Sequence, residues 1–599
     1  MIESIAISSG IQHVRAYMFM MHGCMYVCMY VCGYVRVSVL FSSTVPIHKR
    51  SQKVCLLIGA GGTGKTTIIL RLILKVFVLY FPCSDEEDRY CILTFSHAQG
   101  AAISDDNFRA QTAHTSVEYR VASLRNIHMG LNKKAESCKK KWVPKVLVIE
   151  DEVSLFPAMV QNMVLYRVTK SREEAHHLSI EDYNRQGHLF GHMPIVIIAG
   201  DFLQIKPPKE ISVADDLDAL RRGSRPIHPE HTAAQQAILD IQDVIEFTKS
   251  KRFKDDKMPG LMSALRSAGT DKPLPESELE KLRKRTIDRC GNELCSERFE
   301  DGYLVAMYWD NVARSIHERC HRDARKLKVP LFCLQAADQR TSYQSVTQNL
   351  QVLHSLLSIQ NIHKTGKLAG MLLIHEGMKV RLSDVLDNTS GLVKDLVGTV
   401  VSIKLHSDDA RRLHNLPSGY QFFVPEFIPE GIWVEFPNYK KSPLLPYIEE
   451  DIRRKSHGDD DQEKDLLKKA KSMVFVEIAN STFNIDIRIG QQELNLRVIR
   501  WQFPLTHAMV RTAYSCQGMT LEGGVVMDLR RAGGGMSDED WWLHIYVMLS
   551  RPRKLENIIL LGFTKQVEEL LRKGPPPRLV EIMGFLRKRA AKTMAALQK

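Results

Sequence analysis

Three short, unbroken apolar runs punctuate the first two hundred residues: Lys53–Ile58 (KVCLLI), Val146–Ile149 (VLVI) and Ile195–Ala199 (IVIIA). Each is too short for a helix, and each ends abruptly in glycine or acid. This is the pattern of strands buried on both faces in a parallel sheet. The first run is followed, after a glycine-rich loop, by the helix-like segment IILRLIL, so the local order is strand, loop, helix. The pattern predicts an α/β chain.

A different apolar stretch occupies residues 16–40, AYMFMMHGCMYVCMYVCGYVRVSVL, where the unit Cys-Met-Tyr-Val repeats from Cys24 and Cys28. Its length suits a membrane span. His22, Gly23 and Gly33 interrupt it, and it lacks the small-residue cleavage pattern of a secretory signal. Residues 1–50 are therefore read as a low-complexity extension with no membrane role. Two other segments are polar throughout. Lys170–His188 is expected to be a surface insertion, and residues 451–472 a solvated, mixed-charge segment. Beyond the Pro575–Pro577 break, a last amphipathic basic helix carries Arg587, Lys588 and Arg589.

Length, charge and cysteine content narrow the class. A chain of 599 residues exceeds what one core sustains, so two to four folding units are expected. Lysine and arginine outnumber acids by 82 to 69, which favours a polyanionic partner. The 12 cysteines are irregularly spaced, unlike a secreted disulfide scaffold, and point to a reducing compartment. Cys290, Cys295, His317, Cys320 and His321 are zinc-ligand types, but their gaps are atypical of zinc sites.

The loop after the first run is Gly59, Ala60, Gly61, Gly62, Thr63, Gly64, Lys65 and Thr66, with Thr67 next. Glycines let backbone N–H groups turn inward around phosphates, and the following helix N-terminus adds a favourable dipole. Lys65 is placed to reach the β and γ phosphates and Thr66 to hold Mg²⁺. The second run ends in Glu150, Asp151 and Glu152, acids at the carboxyl end of a strand where ligands of open α/β sheets bind. Asp151 is assigned to Mg²⁺ and Glu152 to the attacking water, while strand alternation turns Glu150 away. The third run leads into Gly200–Pro208 (GDFLQIKPP), which puts Gln204 just past a strand end as a γ-phosphate sensor. A phosphate loop by itself does not separate kinases, GTPases, transporters and motors.

Taken in order, GAGGTGKT, EDEVSL and GDFLQIKPP resemble the PIF-type and RecD-type helicases of superfamily one. Further segments are similar to that family's motifs in the same order: Thr94–Ala102 and Gln111–His114, then Phe247–Phe253, Gly391–Val401, Phe503–Leu521 and Tyr546–Arg551. The resemblance spans roughly residues 51–563. It implies two RecA-like P-loop NTPase domains with a small β-barrel domain inserted in the second. It also implies ATP and Mg²⁺ as cofactors, Arg252 and Arg551 as γ-phosphate arginines, and Gln517 and Gly518 in the motif that couples nucleotide to strand. Thr94, Thr112, His114 and Thr520 are the implied strand contacts.

The implied activity is ATP-dependent 5′-to-3′ translocation on single-stranded DNA with duplex unwinding, in repair, recombination or telomere maintenance. The implied partners are single-stranded and forked DNA, engaged by a monomer in the nucleus, with the mitochondrion as the alternative. The expected division is an extension at 1–50, a first motor domain at 51–228, a second at 229–370 and 495–573, an insert at 371–494, and a basic helix at 574–599. The chain departs from the family at three places. No adenine-recognising segment surrounds Gln12, Tyr514-Ser515-Cys516 replaces a histidine-lysine-serine, and Met307-Tyr308-Trp309 replaces a threonine-asparagine pair. Tyr308 and Trp309 are expected to pack rather than stack on bases. Two other functions fit a phosphate loop: an ATPase that remodels RNA or protein, and an inactive nucleic-acid-binding relative.

Overall fold

The computed structural model describes residues 52–69, 74, 89–95, 99–100, 103–104, 110–117, 132–177, 182–207, 210–269, 271–340, 350–387, 390–437, 439, 472–531 and 535–597. The extension at 1–50 and residues 451–471 of the charged segment lie outside them. The chain forms two compact units, one comprising Met1–Gly291, Cys516–Glu522 and Gly533–Lys599, the other Asn292–Ser515 and Gly523–Ala532. Among the described residues no helix is long and apolar enough to cross a membrane.

The first unit is built on β1 (Lys53–Gly59), β2 (Tyr90–Thr94), β3 (Ala110–Thr112), β4 (Leu147–Glu150), β5 (Ile195–Gly200) and β6 (Val244–Phe247). All pair in parallel, in the order β3-β2-β4-β5-β1-β6. The three apolar runs become β1, β4 and β5, the middle of the sheet, and every residue of β4 and β5 is buried. With β1 between β5 and β6, the glycine loop emerges beside the carboxyl ends of the strands that carry the acids and Gln204. β6 and the helix that follows the Arg252 segment belong to this sheet and unit, beyond the expected boundary at 228.

Helices α1 (Lys65–Ile68), α2 (Ala113–Ser116), α3 (Ala158–His176) and α4 (Lys257–Ser267) belong to the same unit. Helix α3 corrects one expectation, because residues 170–176 are its last turns and not a surface insertion. Arg172 is fully buried there and donates to the carbonyl oxygens of Trp142, Val143, Lys145 and Gly191 at 2.8–3.1 Å. Four carbonyls replace the water that the guanidinium gives up.

In the second unit β7 (Tyr303–Ala306) leads into α5 (Trp309–Leu327), then β8 (Leu331–Gln335), β9 (Ala337–Arg340), α6 (Leu350–Leu357), β10 (Met371–Ile374), β11 (Lys379–Leu382) and β12 (Val397–Lys404). They are followed by β13 (Phe422–Phe423), β14 (Gly431–Glu435), β15 (Met473–Val476), β16 (Ala479–Ile489), β17 (Gln492–Gln502), β18 (Leu505–His507), β19 (Val510–Thr512) and β20 (Val525–Asp528). A small parallel group, β19-β7-β20, stands beside an antiparallel sheet, β15-β14-β12-β11-β18. One apolar core joins Cys320 and Ala324 of α5 to Leu331, Val380, Val400, Ile432, Val434 and Leu505. Trp309 is buried and donates to the Gln360 carbonyl at 2.6 Å, whereas Tyr308 is exposed.

The chain then adds α7 (Asp538–Leu549) and α8 (Pro577–Leu597) to the first unit. Ser537 caps α7 by accepting from the Asp540 amide, and Asp538, Glu539 and Asp540 crowd the first turn, where the helix dipole favours negative charge. In α8, Leu579, Ile582, Leu586 and Ala590 form the buried stripe. Its polar residues secure the edge strand and the chain before it. The Val244 amide donates to the Thr593 hydroxyl at 3.2 Å, Arg589 donates to the Leu239 and Ile241 carbonyls at 2.6 and 2.7 Å, and Arg587 pairs with Glu246. Two of the three basic residues seen in the sequence are therefore used in packing.

Candidate nucleotide site and strand contacts

The glycine loop closes on itself where the Thr63 hydroxyl and amide both donate to the Ala60 carbonyl, at 2.8 and 3.3 Å. Gly62 holds φ at +82°, a left-handed conformation in which a side chain is strained. The glycines also make room. A Cβ on Gly61 would sit 2.8 Å from Arg551 Nη2, and one on Gly62 would sit 2.6 Å from Arg252 Cβ. Lys65 is buried, and its ammonium donates to the carbonyls of Gly59 and Ala60 at 2.7 and 3.3 Å, which holds the charge over the loop. Thr67 is exposed on the same turn.

The Thr66 hydroxyl donates to Asp151 Oδ2 at 3.0 Å, joining the loop to the acid beyond β4. Burial, then the neighbouring Glu152 charge, push the Asp151 carboxyl up to about 7, with Lys65 pulling the other way. Glu152 adopts φ +57°, uncommon for a residue with a side chain, and Gln204 Nε2 donates to its Oε2 at 3.1 Å. Glu150 takes the opposite direction, as strand alternation requires. It is buried, accepts from Gln161 Nε2 at 2.8 Å, and is pushed up to about 7 by burial. Gln517 Nε2 donates to the Ile205 carbonyl at 3.1 Å and to Gln204 Oε1 at 3.4 Å. Gly518 follows in a left-handed conformation, φ +77°.

Both expected arginines reach the loop. The segment after β6 is tied to it directly, because the Lys251 amide donates to the Gly62 carbonyl at 2.7 Å. Arg252 then donates from Nε to the Thr520 hydroxyl at 3.1 Å and from Nη1 to the Ser550 carbonyl at 2.7 Å. Arg551 donates to the Val547 carbonyl and to the Ser550 hydroxyl. Every one of these acceptors is neutral. Burial, then the Arg551 charge, pull Arg252 down to about 9, and burial lowers Arg551 as well. Two buried guanidinium groups at a glycine loop make a receptor for an anion.

The remaining candidates lie elsewhere or serve other roles. Thr520 is an arginine partner. Thr112 is buried and caps α2 by accepting from the Thr115 amide at 3.3 Å, and Thr94 is fully buried, its hydroxyl 3.5 Å from the Gln111 carbonyl. His114 lies in α2. Thr94, Thr112 and His114 thus cluster at the carboxyl ends of β2 and β3, apart from the phosphate loop. Among the described residues no group of three or more histidine, cysteine or acidic side chains gathers as a metal cluster.

Sequence pattern alone passed over Arg266 of α4. This largely enclosed arginine donates to both oxygens of Asp201 at 3.1 and 3.0 Å and to the Tyr546 hydroxyl at 2.7 Å. Its only local signal is a charged residue in an otherwise apolar helical stripe with Met258, Leu261, Met262 and Leu265.

Residues 44–206 match the family model described as an AAA domain. The chain is similar in structure to the Pif1 helicase from Candida albicans, with 17% identity and a TM-score of 0.50 over 93% of this chain and 98% of that one. It is also similar to Bacteroides Pif1 bound to ssDNA, with 14% identity and a TM-score of 0.53 over 93% and 97% of the two chains. A third likeness, to Bacteroides Pif1 in complex with ADP-AlF3 and ssDNA, has 13% identity and a TM-score of 0.51 over the same shares. This chain has the Pif1 helicase fold. No curated protein matches it. On this Pif1-like scaffold, Lys65, Thr66, Asp151, Glu152, Gln204, Arg252, Gln517 and Arg551 all converge within one compact unit.

Proposed function

We propose that this chain is an ATP-dependent DNA helicase that translocates 5′ to 3′ along single-stranded DNA and unwinds forked duplex. The observation that carries the proposal is the meeting of Arg252 and Arg551 with the glycine loop, beside Lys65, Asp151, Glu152 and Gln204. The similar structures named for ssDNA, for ADP-AlF3 and for forked dsDNA supply the choice of DNA as partner.

The glycine loop binds the triphosphate through its amides and Lys65, whose ammonium already lies over the loop carbonyls. A Thr66 hydroxyl and an Asp151 carboxylate 3.0 Å apart are the hard oxygen donors that Mg²⁺ takes alongside phosphates. Bound there, the ion would spread the charge of the phosphate oxygens. Glu152 orients and accepts a proton from water, and Gln204 holds its carboxylate in place. Arg252 and Arg551 supply the positive charge that the terminal phosphate draws on. Loss of that phosphate leaves two buried cations facing each other, and the relaxation of this pair drives the conformational step. Both arginines are provided by the same chain, which supports a monomeric motor.

The test is ATP hydrolysis by the whole chain with and without single-stranded DNA. Hydrolysis should rise several-fold with DNA and vanish in Lys65→Ala. Hydrolysis indifferent to DNA and RNA would favour a remodelling ATPase instead.

A further inference from the structure

One well-connected residue beside the nucleotide site touches none of the phosphate-binding groups. Arg266 lies on α4, buried to 9% side-chain exposure beside an Asp201 side chain at 1%. It spans the two pieces of chain that deliver the γ-phosphate groups. On one side, Asp201 closes the turn that aims Gln204. The Leu203 amide donates to Asp201 Oδ1 at 3.2 Å, and the Gln204 amide donates to the Asp201 carbonyl at the same distance. On the other, Tyr546 stands on α7 one turn before Ser550 and Arg551, and the Ser550 amide donates to the Tyr546 carbonyl at 3.0 Å. The Tyr546 ring is stacked on Trp542, with centroids 5.1 Å apart and planes 7° from parallel, and so cannot swing to follow a moving hydroxyl partner. The Arg266 guanidinium also lies 5.7 Å from the Tyr546 ring centroid.

We infer that Arg266 is a positioning residue that locks the Gln204 turn and the Arg551 helix into one spacing through Asp201 and the Tyr546 hydroxyl. The inference rests on the nucleotide-site reading above. A buried ion pair is weak evidence for stability, since desolvation offsets its attraction. What such a pair does supply is direction. The Arg266 Nη1 atom serves both Asp201 oxygens and the tyrosine hydroxyl, so a shift of either partner breaks bonds to the other. Glu152, Gln204, Asp201, Arg266, Tyr546, Ser550 and Arg252 then form a continuous chain of contacts around the glycine loop. Loss of one link should misplace groups used only when the phosphate is cleaved, and should leave ground-state nucleotide binding in place.

The experiment uses Tyr546→Phe, which removes one hydroxyl and keeps the stacked ring, and Arg266→Lys, which keeps the charge and loses the fork. Hydrolysis kinetics are measured on the whole chain with and without single-stranded DNA, together with affinity for a fluorescent ATP analogue and the melting temperature. Tyr546→Phe should lower kcat about tenfold, with KM and analogue affinity within about twofold. The double variant should be no slower than Arg266→Lys, because both act through one linkage. Unchanged kcat in Tyr546→Phe overturns the inference, as does a parallel loss of kcat, affinity and melting temperature. Hydrolysis that ignores DNA in the wild type would count against the helicase reading alone, since basal kcat still reports on this linkage. A wild type without any hydrolysis would sink both.

Discussion

Arg252 offers the sharpest perturbation, because it is a buried cation whose bonds all go to neutral acceptors. Burial, followed by the Arg551 charge, depresses it to about 9. Measured against the ordinary arginine value, this represents roughly 5 kcal/mol of cost for carrying the charge without an anion present. Replacing Arg252 by glutamine removes that cost. It also removes the bonds to the Thr520 hydroxyl and the Ser550 carbonyl, about 1 kcal/mol each, one of which the amide can remake. The balance favours the variant by roughly 4 kcal/mol, an upper figure because the fold relaxes around a buried charge. In the absence of nucleotide, Arg252→Gln should therefore melt a few degrees higher than the wild type. Its hydrolysis should meanwhile fall by roughly a thousandfold, as expected for loss of an arginine that stabilises phosphoryl transfer. Arg252→Lys retains the charge and should gain no stability. Calorimetry and steady-state hydrolysis on the same preparations make the comparison. A variant that melts no higher than the wild type and hydrolyses ATP within twofold of it would refute the reasoning.

Other substitutions probe separate parts of the structure. Gly62→Ala places a Cβ 2.6 Å from Arg252 Cβ at φ +82°, so affinity for a fluorescent ATP analogue should drop at least tenfold; wild-type affinity would contradict the packing described for the loop. In the second unit, Arg500 and Asp338 form an ion pair with neither side chain exposed, and Arg500 Nη2 also donates to the Leu356 carbonyl at 2.9 Å. Arg500→Met strands a buried carboxylate and should destabilise that unit by about 3–5 kcal/mol, with most of the loss recovered in Arg500→Met/Asp338→Leu; hydrogen exchange along β16 and β17 is the measurement. His507 is buried, accepts from the Met509 amide at 3.1 Å, and is pulled to about 3, chiefly by burial. The stability gained by keeping it neutral is complete above its ordinary value of 6.5 and is lost as pH falls through that value towards about 3. At pH 5.5 the loss should be about 1.4 kcal/mol, and His507→Asn should flatten the acid limb of the unfolding profile. An identical limb in the variant would place the titrating group elsewhere.

How much could be read from the chain depended on the range of the interaction involved. β1, β4 and β5 were legible because a strand buried on both faces must be apolar at every position, a rule that needs no partner. The glycine loop was legible for a similar reason, since its residues are set by their own backbone geometry. Arg252 required the family resemblance, because nothing in FTKSKRF separates this arginine from an ordinary surface one. β6, which positions it, pairs with β1 some 190 residues away and extends the first sheet past residue 228. A run of only four residues carries too little pattern to declare that membership. Arg172 and Arg266 look like surface charges in sequence, yet the first is buried and the second largely enclosed, because their partners are carbonyls and a carboxylate brought in from distant parts of the chain. Thr112, expected at the strand, spends its hydroxyl on a helix cap, a use that sequence alone does not separate from strand contact.

Duplex unwinding separates a helicase from every other phosphate-loop ATPase. The whole chain, with ATP and Mg²⁺, is given labelled duplexes that carry a single-stranded tail at either the 5′ or the 3′ end, with Lys65→Ala as the control. ATP-dependent strand release is expected from the 5′-tailed duplex, with little from the 3′-tailed one and none from Lys65→Ala. Release from the 3′-tailed duplex alone would contradict the proposed polarity, and DNA-stimulated hydrolysis without release from any substrate would contradict the helicase itself.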